Sequence, residues 1–418
     1  MTTDTVITNT GVTIKDGKII AIGNIPNEPE LPILDGKGRY LSPGLIDMHV
    51  HLWDKYELGV YLANGVTTVR NLWGQPMHLR MKDAVINEEI ISPMFFTSGP
   101  KLTGPKFIGD DNLQLFTPEE ARAKIADYKA QGFDLIKTYY GLTPEIYDAV
   151  LDECEKQNLE IAAHPSNEVG YSYHFTPQIK TIEHAEDIVQ IGLNYQLDSV
   201  KLDSIVALYS SHPGTVLCPT QVVYYNIYRL LEEDNVLNNE QLDFMNPLIR
   251  MTDSKAQFDR WQGTKSNDST ISSYILKQHN FQLYAIRKIH ESGADIVCGT
   301  DAGIGITPAG YSLHEELALY KEAGMSNYEA LKTATINASK VHDFLNDFGS
   351  IEVGKTANLL LTDDNPLEDL STLKTPSLVM VKGRSIDEET LDTFIDQAKN
   401  RNNLLASGLR YVEYLLSK

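Results

Sequence analysis

Between residues 40 and 305 the chain alternates between two hydrophobic periods. Short runs rich in β-branched and aromatic residues recur at 40–51, 65–72, 91–99, 133–140, 159–165, 180–185, 215–224 and 294–302. Between most of them lie amphipathic helical patterns, such as TPEEARAKIADYKAQG at 117–132 and TPEIYDAVLDECEKQN at 143–158. Both open with Thr-Pro followed by acids, which supplies a capping side chain and a proline at the first helical position. Eight strands alternating with helices predict a parallel sheet, and eight such units over this length predict a closed (β/α)8 TIM barrel. An open doubly wound sheet is the alternative, but no Gly-rich phosphate loop follows the first strand.

The two ends follow a different pattern. Residues 6–23 alternate around Asp16-Gly17, a hairpin signal, and residues 349–384 hold further short strands separated by turn residues. Paired, they predict a small β-sandwich of 1–42 plus 349–385 beside a barrel of 43–348, with a helical tail at 386–418 covering the barrel or a neighbouring subunit. The stretch 225–281, after the seventh strand, is long, polar and helical in pattern, where insertions shape substrate pockets. Whether it moves as a lid is open at this point.

Charge and composition narrow the function. The 418 residues carry 36 Lys and Arg against 57 Asp and Glu, a net charge of −21, so nucleic-acid phosphates are repelled. No run of 18 apolar residues suggests a membrane span, and MTTDTVITNTGV lacks a signal-peptide pattern. Cys154, Cys218 and Cys298 form neither a disulfide framework nor a metal-binding pair, and together these features predict a cytoplasmic protein. A homo-oligomer is left open.

The sharpest chemical signal is His49-Val50-His51 at the end of the first barrel run. Strand side chains two apart share a face, so both imidazoles can lean toward one metal ion. Alone the dipeptide is weak, but Lys137, His164, His184 and Asp301 also end strands, on the face where barrel enzymes place their chemistry.

Here the sequence resembles the amidohydrolase superfamily, more narrowly its imidazolonepropionase- and prolidase-related branch. The resemblance rests on PGLIDMHVH at 43–51, IKTYY at 136–140, AAHP at 162–165, IEHAE at 182–186 and GTDAG at 299–303, and extends through 314–341 and 349–370. It implies a two-metal hydrolytic site. His49 and His51 would hold the more buried ion, His164 and His184 the more exposed one, and Lys137, carboxylated by carbon dioxide, would bridge both. Imidazole and oxygen ligands suit Zn²⁺, with Mn²⁺ or Co²⁺ as substitutes. A hydroxide shared between the metals would attack an amide carbonyl, with Asp301 as metal ligand and proton shuttle. Tyr224 matches a tyrosine that steadies the developing oxyanion in the prolidase-like branch, although Tyr225 and Tyr228 nearby also allow a plain aromatic contact.

The expected function is therefore hydrolysis of an amide bond in a small molecule, such as a dipeptide or N-acyl amino acid. The alternative is a mononuclear cyclic-amide hydrolase like imidazolonepropionase, or a deaminase, whose glutamate after the strand-five histidine is met imperfectly by Glu168. A non-catalytic scaffold is disfavoured because all six ligand positions are retained. One family feature is missing. The loop 98–111 has Lys101 and Lys106 where prolidase-like members carry a histidine for the substrate's carboxylate, and an exposed lysine there is the ordinary expectation. His212, His279, His290 and His342 fall in or beside helical patterns and are expected to be structural or exposed, while His78 and His174 are expected in loops.

Overall fold

Gly44 divides the first apolar run in two. In the computed structural model, which describes residues 3–23, 32–106 and 112–417, Tyr40–Pro43 pairs antiparallel with Leu359–Thr362, whereas Leu45–Val50 pairs parallel with Val66–Asn71. The switch between sheets needs a residue without a side chain, since a Cβ at position 44 would lie 2.1 Å from Thr67 Oγ1.

From Leu45–Val50 the parallel order runs through Val66–Asn71 to Met94–Thr97. A second parallel stretch orders Ile136–Thr138, Ile161–Ala163, Ile179–Glu183 and Val216–Cys218. Parallel bridges Ser98–Leu135, Leu217–Ile296 and Val50–Ala302 link the two stretches into a barrel-like ring. The eighth predicted strand, 294–302, takes part through isolated bridges rather than a continuous ladder. Asp301 leaves extended backbone at φ 57°, and Gly299 passes so close to its neighbours that a Cβ there would sit 2.4 Å from Cys218 Sγ. Two short parallel strands not foreseen, Lys101–Thr103 and Asn112–Gln114, extend the sheet beside Ile136–Thr138.

Both Thr-Pro signals mark real helix starts. Helix Pro118–Gln131 has Thr117 Oγ1 accepting from the Glu120 amide and ends on Gly132 at φ 93°; helix Pro144–Gln157 ends on Asn158 at φ 50°. Thr143, by contrast, makes no side-chain capping bond.

The hairpin forms as Gly11–Lys15 and Lys18–Gly23, with Asp16 and Gly17 both at positive φ as a two-residue turn requires. The other chain-end strands make a four-stranded antiparallel sheet ordered Arg384–Asp387, Leu378–Val381, Leu359–Thr362, Tyr40–Pro43. The hairpin bridges to it at Lys18–Thr356 and shares a small core of Ile19, Ala357 and Leu359. The tail folds as helices Glu388–Lys399 and Leu404–Ser417. The first packs on helix Lys55–Ala63, where Gly59 makes room for Phe394, so the tail lies on this barrel. The stretch after the seventh strand is helical throughout, dominated by Gln221–Glu232, Lys255–Asn267 and Ile271–Glu291. Among the described residues no helix is long and apolar enough to cross a membrane.

Candidate metal centre

The carboxyl ends of the barrel strands deliver six predicted side chains to one buried place. His49, His51, Lys137, His164, His184 and Asp301 are each at most 6% exposed. The His49 ring centroid lies 5.3 Å from that of His51 and 4.9 Å from that of His184, and His184 lies 4.6 Å from His164. Asp301 Oδ1 is 2.7 Å from His51 Nε2 and 3.2 Å from His49 Nε2. Two of the residues turn inward on left-handed backbone, His184 at φ 68° and Asp301 at φ 57°. Such conformations cost non-glycine residues energy and gather at functional sites.

Burial sets the charge states. It pushes the His51 imidazole down to about 4, against the opposing pull of Asp301, and pushes His164 and His184 well below their ordinary value. Neutral imidazoles are the form that ligates metals. Burial also works against the Asp301 carboxylate, but His49 and His51 outweigh it and hold its pKa well below the usual range. Lys137 is lowered to about 8 by burial, with Glu183 and Asp301 opposing. Its Nζ has no hydrogen-bond partner among the described residues, and neither nitrogen of His164 has one. Buried, unsatisfied donors and acceptors are costly and call for a missing partner.

The donor set fits a divalent cation. His49, His184 and Asp301 bring ligand atoms within 4.8 Å of one another, as do His49, Glu183 and Cys218. The second trio is the poorer candidate. Burial holds the Cys218 thiol protonated, and both Glu183 oxygens are engaged.

Glu183 is a functional residue the sequence reading passed over, although it stands within the IEHAE motif. His49 Nδ1 donates to Glu183 Oε2 at 2.8 Å, which leaves Nε2 facing the centre. Arg70, fully buried, donates Nη2 to Glu183 Oε1 at 2.8 Å and Nη1 to His342 Nε2 at 2.8 Å. His342 Nδ1 in turn donates to Glu160 at 2.6 Å. Burial opposes the Glu183 charge, but Arg70 and His49 outweigh it. The available signal was a charged residue in the middle of each of two apolar runs, VTTVRN and IKTIE. His184 Nδ1 is held 2.8 Å from Thr220 Oγ1, and Thr220 itself sits at φ 46°.

The remaining candidates are dispersed. Tyr224 is buried in the first turn of Gln221–Glu232, but its hydroxyl donates to Gln278 rather than to a residue of the centre. Burial, then Glu186, keeps the phenol protonated. Lys101 departs from the expected exposed lysine: it is 7% exposed, with its ammonium 4.5 Å from the Trp73 ring centre and 5.0 Å from that of Tyr139. Lys106 is exposed and pairs with Glu168 at 3.2 Å, which places the deaminase-type glutamate in a loop ion pair. Glu168 also lines a cavity of about 520 Å³ with Tyr140, Asn167, Gln190, Asn194 and Tyr195. Tyr140 joins that cavity to the centre, its ring 4.2 Å from His164. His78 and His174 are not in open loops: His78 is in the first turn of helix Pro76–Ile86 and His174 in a short 3-10 turn, both buried and hydrogen-bonded.

Comparison with known proteins agrees with this geometry. An imidazolonepropionase of Shewanella baltica (strain OS185) is 24% identical over 386 residues, spanning 85% of this chain and 87% of that protein. An allantoinase of Bacillus licheniformis is 38% identical over 104 residues, a stretch that spans 22% of each chain. A solved Xaa-Pro dipeptidase with bound methionine shares the fold at a TM-score of 0.71 and 21% identity, over 92% of this chain and 97% of its own. Residues 40–386 match the amidohydrolase family itself. With a buried His/Asp centre at the carboxyl ends of its barrel strands, the chain belongs to the amidohydrolase family, enzymes that act on carbon–nitrogen bonds.

Proposed function

We propose that the protein is a binuclear metal-dependent hydrolase of an amide bond in a dipeptide or N-acyl amino acid. The observation that carries this reading is Lys137. A lysine buried among four histidines and Asp301, lowered to about 8 by that burial and without a hydrogen-bond partner, is suited to capture carbon dioxide. Its neutral amine would add to the carbon and release one proton, giving a carbamate with two oxygens and one negative charge. His49 and His51 would then hold one cation and His164 and His184 the other, with the carbamate between. When bound, two such cations polarise the scissile carbonyl and lower the pKa of the attacking water.

The chain's own residues supply the proton traffic. Asp301, kept ionised by His49 and His51, accepts the proton of the attacking water and returns it to the leaving amine nitrogen. Tyr224, a protonated phenol, would donate to the developing oxyanion by exchanging its bond to Gln278 for one to substrate. Lys101, between Trp73 and Tyr139, places a cation where a substrate carboxylate could meet it. The solved dipeptidase relative supports a dipeptide, and the nearly full-length imidazolonepropionase relative supports a mononuclear cyclic-amide reading as the alternative.

Metal analysis with a turnover panel separates them. Purified protein reconstituted with Zn²⁺ and bicarbonate should hold about two equivalents and cleave a subset of dipeptides and N-acyl amino acids. Asp301→Asn should retain metal yet lose roughly 10²–10⁴ in turnover. One equivalent together with full activity in Lys137→Ala would favour the mononuclear reading, and an active Asp301→Asn would contradict the proton shuttle.

A further inference from the structure

The tail helices lie beyond the stretch that matches the family, and they nonetheless reach the centre by two routes. The polar route converges on Asp54, three residues after His51. Arg401, with a side chain 1% exposed, donates Nη1 to Asp54 Oδ1 at 3.3 Å and Nη2 to the Phe244 carbonyl at 2.7 Å. Asn403 donates to Asp54 Oδ2 at 2.7 Å, and Asn246 donates both to Asp54 at 2.7 Å and to Ser407 at 2.9 Å. Next to Asp54, Trp53 Nε1 donates to the Gly303 carbonyl at 2.8 Å, two residues past Asp301. The aromatic route runs from Tyr414, fully buried, to Trp73 at 5.9 Å, and from Trp73 edge-on to His51 at 5.9 Å. Trp53 supports Trp73 from the side at 4.8 Å.

His51 needs such support. His49 and His184 have their rings set by a hydrogen bond on Nδ1, but His51 Nδ1 has no partner among the described residues. Its orientation therefore rests on the packing around it. We infer that Arg401 and Tyr414 are positioning residues of the metal centre, which fix the 51–57 loop and Trp73 and through them aim His51 Nε2. The inference rests on the metal-centre reading above. It also gives the 236–254 stretch a fixed seat. Phe244 and Asn246 are tied to the tail, and Ser254 donates to the Gly305 carbonyl while the Gly305 amide donates to Asp253.

The test uses the full-length protein, Co²⁺ as probe, and two variants: Tyr414→Leu, and Arg401→Met combined with Asp54→Asn so that neither charge is left buried alone. The readouts are the visible absorption bands of bound Co²⁺ and the affinity of the first equivalent by chelator competition, with the apo melting temperature as a folding control. Both variants should bind the first equivalent about tenfold or more weakly and show altered bands, as supporting residues of metal ligands do. Unchanged bands and affinity with only a lower melting temperature would make the tail merely structural and overturn the inference. If the double variant does not fold, Asn403→Ala and Tyr414→Leu decide by the same criterion. Wild-type protein that binds no Co²⁺ would instead overturn the metal-centre reading, a separate failure.

Discussion

Four imidazoles line the centre, and they are held in two ways. His49 and His184 each hydrogen-bond through Nδ1, to Glu183 and Thr220. His51 and His164 have no partner on Nδ1 among the described residues and lie against aromatic rings instead, Trp73 in one case and Tyr139 and Tyr140 in the other. A hydrogen bond fixes tautomer and ring angle together, whereas packing fixes the angle alone. The bonded pair draws its supports from the ends of neighbouring strands. The packed pair depends on the loops above the barrel and, for His51, on the tail. Lys137 belongs with the packed pair, as a buried polar group with no protein partner of its own.

Glu183→Gln strikes the bonded pair hardest. It leaves the Arg70 guanidinium buried without its carboxylate, so apo stability should fall by about 3–5 kcal/mol in urea unfolding. Metal affinity should fall roughly 10–100-fold in chelator competition. An unchanged affinity would mean that the hydrogen bond to His49 adds nothing that packing does not already supply.

On the unpartnered side the sign reverses. Lys137→Met removes a buried amine with no hydrogen bond, so the metal-free protein should gain about 1–3 kcal/mol. The pH dependence follows from the same group. Burial lowers its pKa from 10.5 to about 8, so between pH 8 and 10.5 the unfolded chain binds more protons than the native one. Native metal-free protein is therefore penalised in full below about pH 8 and gains stability from this group as pH rises toward 10.5. Urea titrations at successive pH values should show that slope in the wild type and a shallower one in Lys137→Met; equal slopes would place the charge elsewhere.

The smallest effect is expected for Thr220→Val. It deletes one hydroxyl and should cost about 1 kcal/mol and near tenfold in metal affinity. A larger loss of affinity than Glu183→Gln gives would invert the ranking of the two hydrogen bonds.

The alternation of β-rich and helical runs was enough to read seven barrel strands, because period two and period 3.6 differ over even short windows. The eighth escaped as a regular strand, since Gly299 and Asp301 adopt the backbone their neighbours impose. The candidate ligands were legible because strand ends share a face, and the family resemblance named their roles. What supports them was not legible. Glu183 meets His49 from 134 residues away, Arg70 meets His342 across 272, and Arg401 meets Asp54 across 347. No local period records such pairings. Lys101 was misread for a related reason, since only the assembled loops show Trp73 and Tyr139 enclosing it.

The left-handed turns at His184, Thr220 and Asp301 carry a consequence for how such a protein can change. Glycine would relax each turn, releasing about 1–3 kcal/mol of backbone strain where the side chain's own contacts do not matter. A search that selects for thermal robustness alone would thus be drawn to those three positions and would erase the chemistry first. Robustness and catalysis pull in opposite directions there, and variants hardened without an activity screen should accumulate their losses at the mouth of the barrel.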